Sequence, residues 1–165
     1  MTTTCLVRTR TATAHDLAAV VDLHARCSPE ALHRRFHAPL GALPPRLALQ
    51  LICPVGGWSL LAERAGQVLA MACAGPLSTD DVEIGLLVED ASQGLGIGAR
   101  LVRELAAEAT RRGYRRVHCL TLPDNEAVLG TLRKAGLPFE AAHVDGLLQV
   151  LMPLAPGTAG LPLPA

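Results

Sequence analysis

The chain reads as a mixed α/β domain: a mostly antiparallel sheet with a central parallel pair, flanked by helices. Three observations predict it. Asp81-Val-Glu-Ile-Gly-Leu-Leu-Val-Glu-Asp90 alternates as a strand, and from Gly98 onward the apolar residues Leu101, Val102, Leu105, Ala106 and Ala109 fall on one helical stripe. Gln93-Gly-Leu-Gly-Ile-Gly98 joins the two, and a strand after the helix completes a β–α–β unit whose strands lie parallel and adjacent. Short strands joined by Ala65-Gly66 and Asp145-Gly146 supply the antiparallel partners.

Each element has its own signal. Cys5 to Arg10 reads as a short strand. Thr13 precedes Asp16 by three residues, close to a capping box, and opens a helix to about Arg26 with Leu17, Val20, Val21 and His24 on one side. Ser28-Pro29 can cap and start a second helix that stops before Pro39. A third runs from Pro45 to Ile52 and ends before Pro54. Trp58 to Arg64 and Gln67 to Ala74 form a hairpin ahead of the central strand. The central helix closes on Arg111-Arg112-Gly113, with cations at the negative end and glycine as stop. Tyr114 to Leu120 is a strand, Glu126 to Lys134 a helix closed by Gly136, and Phe139 to Val144 with Leu147 to Leu154 the final hairpin. These make one domain, 1–155; the Pro/Gly-rich stretch 156–165 has no period and reads as a tail.

Composition narrows the function classes. Fifteen basic and fifteen acidic side chains cancel, and one Trp, one Tyr and two Phe leave little for base stacking, so nucleic acid is not an expected partner. No apolar run approaches the roughly 20 residues that span a bilayer, and Met1-Thr-Thr-Thr-Cys5 does not read as a secretory leader. Five scattered cysteines without a C-x-x-C predict reduced, mostly buried thiols in a cytoplasmic protein. His33 and His37 have metal-binding spacing, but no third ligand is evident and no metal is expected.

The glycine turn carries the chemistry. Its glycines remove Cβ atoms that would hold a ligand off the backbone, and the unpaired N–H groups of the following helix favour a phosphate or pyrophosphate. A dinucleotide fingerprint fails on spacing and lacks the later carboxylate; a P-loop fails because Gly98 is followed by Ala99 and Arg100. Glu83 lies ten residues before Gln93 on the central strand. It can serve as a proton acceptor, and its apolar strand neighbours predict a partial burial that would tune it; a solvent-facing strand residue is the alternative. His118, mid-strand beside the proposed gap, reads first as a core histidine, with a proton relay as the second role. Most of the arginines read as solvated surface, though Arg100 and Arg103 on the central helix could reach ligand phosphates.

Gln-Gly-x-Gly-x-Gly after an apolar strand resembles the acyl-CoA-binding motif of the GCN5-related N-acetyltransferases (GNAT). The resemblance implies the GNAT fold, with the two central strands splaying at their C-terminal ends to admit the cofactor arm. It places the pantetheine of acetyl-CoA against Leu86, Leu87 and Val88, and the pyrophosphate against Gln93, Gly94, Leu95, Gly96, Ile97, Gly98 and Ala99. Ser28-Pro-Glu-Ala-Leu-His-Arg-Arg-Phe36, Glu83-Ile-Gly-Leu-Leu-Val88 and Asn125-Glu-Ala-Val-Leu-Gly-Thr-Leu-Arg-Lys-Ala-Gly136 together resemble the bacterial protein-lysine acetyltransferase branch. That likeness makes Glu83 the general base and Asn125 a cofactor-side residue. It implies transfer of an acetyl group to a primary amine, a protein lysine first, by direct attack in a ternary complex. A small-molecule amine acceptor and a non-catalytic acyl-CoA-binding module are the rival functions; a homodimer is compatible with either. Two departures stand out: Leu95 occupies a position where the family often has Arg, and Leu129-Gly-Thr-Leu-Arg133 lacks the Tyr that many members use as a general acid.

Overall fold

The computed structural model describes residues 6–155. Cys5 and the 156–165 stretch lie outside the described residues. Seven strands form one sheet in the order β1-β2-β3-β4-β5-β7-β6, with β1 Arg8–Thr11, β2 Trp58–Arg64, β3 Gln67–Pro76, β4 Asp81–Val88, β5 Arg116–Thr121, β6 Glu140–Val144 and β7 Leu147–Pro153. Every pairing is antiparallel except β4 with β5. The helices are α1 Leu17–Arg26, α2 Pro29–Phe36, α3 Pro45–Ile52, α4 Ile97–Arg111 and α5 Glu126–Ala135.

Helices α1 to α3 cover one face of the sheet and α4 and α5 the other. Side-chain alternation divides the core accordingly. Val82 and Ile84 of β4 join Leu101, Leu105, Val117 and Leu132 on the α4–α5 side, while Leu87 joins Val20, Leu23, Ile52 and Met71 beneath α1–α3. Both hairpin turns place a non-glycine residue and a glycine at positive φ, Ala65 (52°) with Gly66 (80°) and Asp145 (51°) with Gly146 (79°). That pairing is the tight hairpin geometry whose twist suits the strands.

Local chemistry sets the helix ends. The Asp16 carboxylate accepts from the Thr13 N–H (2.8 Å) and hydroxyl (3.1 Å) and from both terminal nitrogens of Arg10, so a 3₁₀ turn, Ala14–Asp16, precedes α1. The Ser28 hydroxyl accepts from the Ala31 N–H at 3.1 Å and caps α2. His37 ends that helix in the left-handed region (φ 56°), its N–H still bonded to the His33 carbonyl at 2.7 Å. The central strand stops at Val88, two residues sooner than its apolar pattern suggested, because Asp90–Ser92 turns as 3₁₀. The thiols are less buried than expected: Cys27 is buried, Cys73 and Cys119 are half-buried, and Cys53 is exposed.

Two buried groups predict acid sensitivity of one sign. The Arg10 guanidinium holds the Asp16 carboxyl down to about 2, against an ordinary 3.8. Its contribution is therefore complete above pH 3.8 and is lost as pH falls toward about 2. Burial, reinforced by the charge of Arg35, lowers His24 below its ordinary 6.5 despite the bond between Nδ1 and the Val20 carbonyl. The unfolded chain then takes that proton first, and stability declines as pH drops below 6.5. Thermal melts across acid pH should show two declines, and Asp16→Asn should flatten the lower one.

Candidate active site

Strands β4 and β5 pair through Asp81↔Arg116, Val82↔Val117 and Glu83↔His118. Beyond that point β4 stays paired with β3 as far as Val88, and β5 with β7 as far as Thr121. The sheet therefore opens into a wedge between Ile84–Val88 and 119–121. Backbone groups along that edge of β4 are left for another partner, since N–H and C=O groups in a protein interior rarely go unpaired.

A cleft of about 460 Å³ lies at the open end of the wedge, against Leu86–Val88, and continues over the start of α4. Leu86, Leu87 and Val88 line one side; Gln93, Gly94, Gly96, Ile97, Gly98 and Ala99 line the turn; Asn125, Val128, Thr131 and Lys134 line the α5 wall. Leu95 is not among the lining residues: it is 61% exposed, on the outside of the turn. Gln93 Nε2 donates to the Val88 carbonyl at 3.2 Å and ties the turn to the strand end.

The three glycines have different reasons to be glycine. Gly94 (φ 78°) and Gly96 (φ 80°) are left-handed, and a Cβ on either would meet no atom within 4 Å. Backbone conformation excludes side chains there and leaves open space above the helix start. A Cβ on Gly98 would lie 3.2 Å from both Leu86 Cδ2 and Thr131 Cγ2, so this glycine lets α4 sit close against β4 and α5.

Asn125 supplies a second sign of a ligand. Its Nδ2 donates to Thr121 Oγ1 at 2.8 Å, while its buried Oδ1 has no partner. A buried acceptor without a donor is costly, and one on a cleft wall suits an amide N–H such as pantetheine carries. The bare helix start, the unpaired strand edge and this oxygen all fit acyl-CoA. Lys134, Arg34 and Arg35 bring positive charge to the cleft. Arg100 instead donates to the Val7 carbonyl (2.8 Å), Thr9 Oγ1 (2.9 Å) and Glu104 (2.9 Å), and Arg103 to the Lys134 carbonyl. Both arginines thus make contacts toward β1 and α5, and neither is among the residues that line the cleft.

Glu83 lines a neighbouring cavity of about 250 Å³, with Cys73, Gly75 and Gly85. It stands exposed, so the partial burial expected from its apolar strand neighbours is absent. Its register partner on β3 is Gly75, which has no side chain to cover it. On the other side its register partner is His118, whose Nε2 lies 2.9 Å from Asp81 Oδ1 while the buried Nδ1 has no partner. Hydrogen bonds from Arg116 first, then from His118 and Ser78, hold the Asp81 carboxyl well below the usual carboxylate range. His118 is therefore half-buried and paired on one nitrogen, neither a fully satisfied core histidine nor a free one.

Several wall residues were not singled out as site residues from the sequence. Ser28 donates its hydroxyl (2.6 Å) and its N–H (2.8 Å) to Asp90, fastening the start of α2 to the loop before the glycine turn. Burial alone would raise the Asp90 carboxyl; the bonds from Ser28 outweigh it and leave it below its ordinary value. Arg34 reaches the cleft rim paired with Glu30. Arg35 borders both cavities. The 28–36 segment was the available signal for both: Arg35 stands in its Arg-Phe ending, and Ser28, which also caps α2, opens it.

Solved structures of similar shape hold acetyl-CoA in some cases. The GNAT domain of S. lividans PAT superposes with a TM-score of 0.82 at 26% identity, covering 90% of each chain. YncA of Salmonella typhimurium, solved with its cofactor acetyl-CoA, gives 0.70 at 23% identity over 93% of this chain and 99% of that one. A phosphinothricin acetyltransferase of Sinorhizobium meliloti in complex with acetyl-CoA gives 0.69 at 22% identity over 94% and 92%. The sequence model of the acetyltransferase (GNAT) family matches residues 17–137, which takes in the glycine turn, the wedge and both cavities' main walls. The chain belongs to the GNAT family of acetyltransferases.

Proposed function

We propose that this acetyltransferase binds acetyl-CoA in the wedge and transfers the acetyl group to a primary amine, a protein lysine first, by direct attack in a ternary complex. One observation carries this reading. The cleft begins at a bare helix N-terminus, follows the unpaired edge of β4, and ends beside a second cavity that holds a carboxylate. Acetyl-CoA supplies an activated thioester. The chain's residues would do the rest: N–H groups at 96–99 hold phosphate, Asn125 Oδ1 accepts from an amide, and Glu83 takes a proton from the incoming amine. Deprotonation matters because a lysine ammonium has no lone pair. The exposed mouth at Glu83 suits an acceptor side chain presented from a protein surface. Residues 1–155 would act as a single domain, in a reducing cytoplasm where the cysteines stay free.

A covalent cysteine route is disfavoured. Burial first, with the charge of Glu83 adding and that of Arg35 opposing, pushes the Cys119 thiol up to about 11. Little thiolate would exist at neutral pH. Cys119→Ala should therefore cost stability and leave turnover near wild type; complete loss of activity in a folded variant would restore the acyl-cysteine route. The function itself is tested by incubating the protein with labelled acetyl-CoA and cell lysate. Label on protein lysines supports the reading. Label only on small amines transfers it to that acceptor class, and tight binding of acetyl-CoA without any labelling leaves a binding module.

A further inference from the structure

Arg35 occupies the junction of the two cavities. Its guanidinium lies flat on β4 at Gly85: a Cβ there would stand 2.4 Å from Nη2, 2.5 Å from Cζ and 2.8 Å from Nη1. The Phe36 ring lies 5.2 Å from Cζ. The group is half-buried, yet its one side-chain hydrogen bond is Nη2 to Cys73 Sγ at 3.0 Å, a weak acceptor. Among the described residues no carboxylate lies within ion-pair distance of it. Its neighbour Arg34 is satisfied by Glu30, and Glu83 shares the second cavity without pairing. A half-buried guanidinium normally has a carboxylate or phosphate on its fork.

We propose that Arg35 is a specificity-determining residue that reads a carboxylate at the acyl end of the cleft. The inference rests on the cleft holding acyl-CoA as proposed above. An arm laid along Leu86–Val88 points its acyl group toward Gly85, where the guanidinium waits. Coming from the second cavity, an acceptor amine reaches the same point. The carboxylate is therefore carried either by a dicarboxylic acyl chain or by the acceptor beside its amine. In both cases the planar fork takes two oxygens at once, which an ammonium would not do. Gly85 is the seat that makes this possible, since any side chain there would lift the guanidinium off the strand.

Ligand-induced melting shifts separate the sources. Free CoA is the first probe: if it fails to stabilise the wild-type protein, the cleft assignment itself falls. If it does stabilise, succinyl-CoA is compared with butyryl-CoA, which has the same number of carbons and a methyl in place of the carboxylate. L-lysine is then compared with cadaverine on the CoA-saturated protein. Succinyl-CoA bound about tenfold more tightly than butyryl-CoA, as a charge-assisted pair provides, assigns the carboxylate to the acyl chain. The same margin for lysine over cadaverine assigns it to the acceptor. Either preference should vanish in Arg35→Gln and shrink in Gly85→Ala, which retains the arginine but displaces it. No preference in either pair, a preference that survives Arg35→Gln, or an equal weakening of charged and neutral ligands overturns the proposal.

Discussion

Glu83→Gln is expected to lower turnover by about 10²–10⁴ at neutral pH, the range usual for losing a general acid–base group, while CoA binding stays nearly unchanged. The substitution preserves size and hydrogen bonding but removes the basic oxygen. Binding should survive because Glu83 lies in the second cavity, apart from the glycine turn and Asn125. The loss should shrink as pH rises, because the acceptor amine then sheds its proton unaided. Initial rates at neutral and alkaline pH, beside a CoA melting shift, check both halves. Wild-type turnover in the variant would reduce Glu83 to a strand residue and pass the role to His118, its register partner, or to an ordered water.

Gly96→Val is expected to abolish stabilisation by CoA. At saturating ligand, about 100 times Kd, that stabilisation is about 2.7 kcal/mol, or roughly 5–10 °C for a chain of this length. Two effects combine in the variant. A branched side chain would enter the open space above the helix start, and the left-handed backbone at φ 80° would be strained by about 1–2 kcal/mol or more. The unliganded melting temperature should therefore drop as well. Gly113→Ala separates the two: it is left-handed (φ 89°), has open space around its Cβ position and lies at the far end of α4. It should lower the melting temperature and leave the CoA shift intact. An unchanged CoA shift in Gly96→Val would move the cradle elsewhere.

Punctuation made most of the fold legible. Prolines bracket α3, and its bounds match the sequence expectation; Ala65-Gly66 and Asp145-Gly146 mark the hairpins where they occur. Gln93–Gly98 was legible as a tight turn opening a helix because glycine chemistry is local, and the left-handed Gly94 and Gly96 sit there. What escaped the sequence depends on pairs distant along the chain. Arg100 reads as a cation on the ligand's helix until β1 brings the Val7 carbonyl and Thr9 to it. Arg35 reads as half of a dibasic pair until α2 is laid across β4 at Gly85. The exposure of Glu83 follows from the register that sets Gly75 opposite it, which alternation along β4 alone does not contain.

The wedge also makes the sheet two sheets. β1 to β4 form one antiparallel block and β5 to β7 another, joined in the ladder by three registered residue pairs. A ligand seated in the gap would bond to the free edge of one block and rest against the other, acting as the strand the sheet lacks. Cosubstrate recognition would then be a form of strand addition, in which part of the binding energy sutures two halves of the protein. Substitutions at the Asp81–Arg116 and Val82–Val117 pairs of that seam, away from the glycine turn, would be felt as weakened affinity.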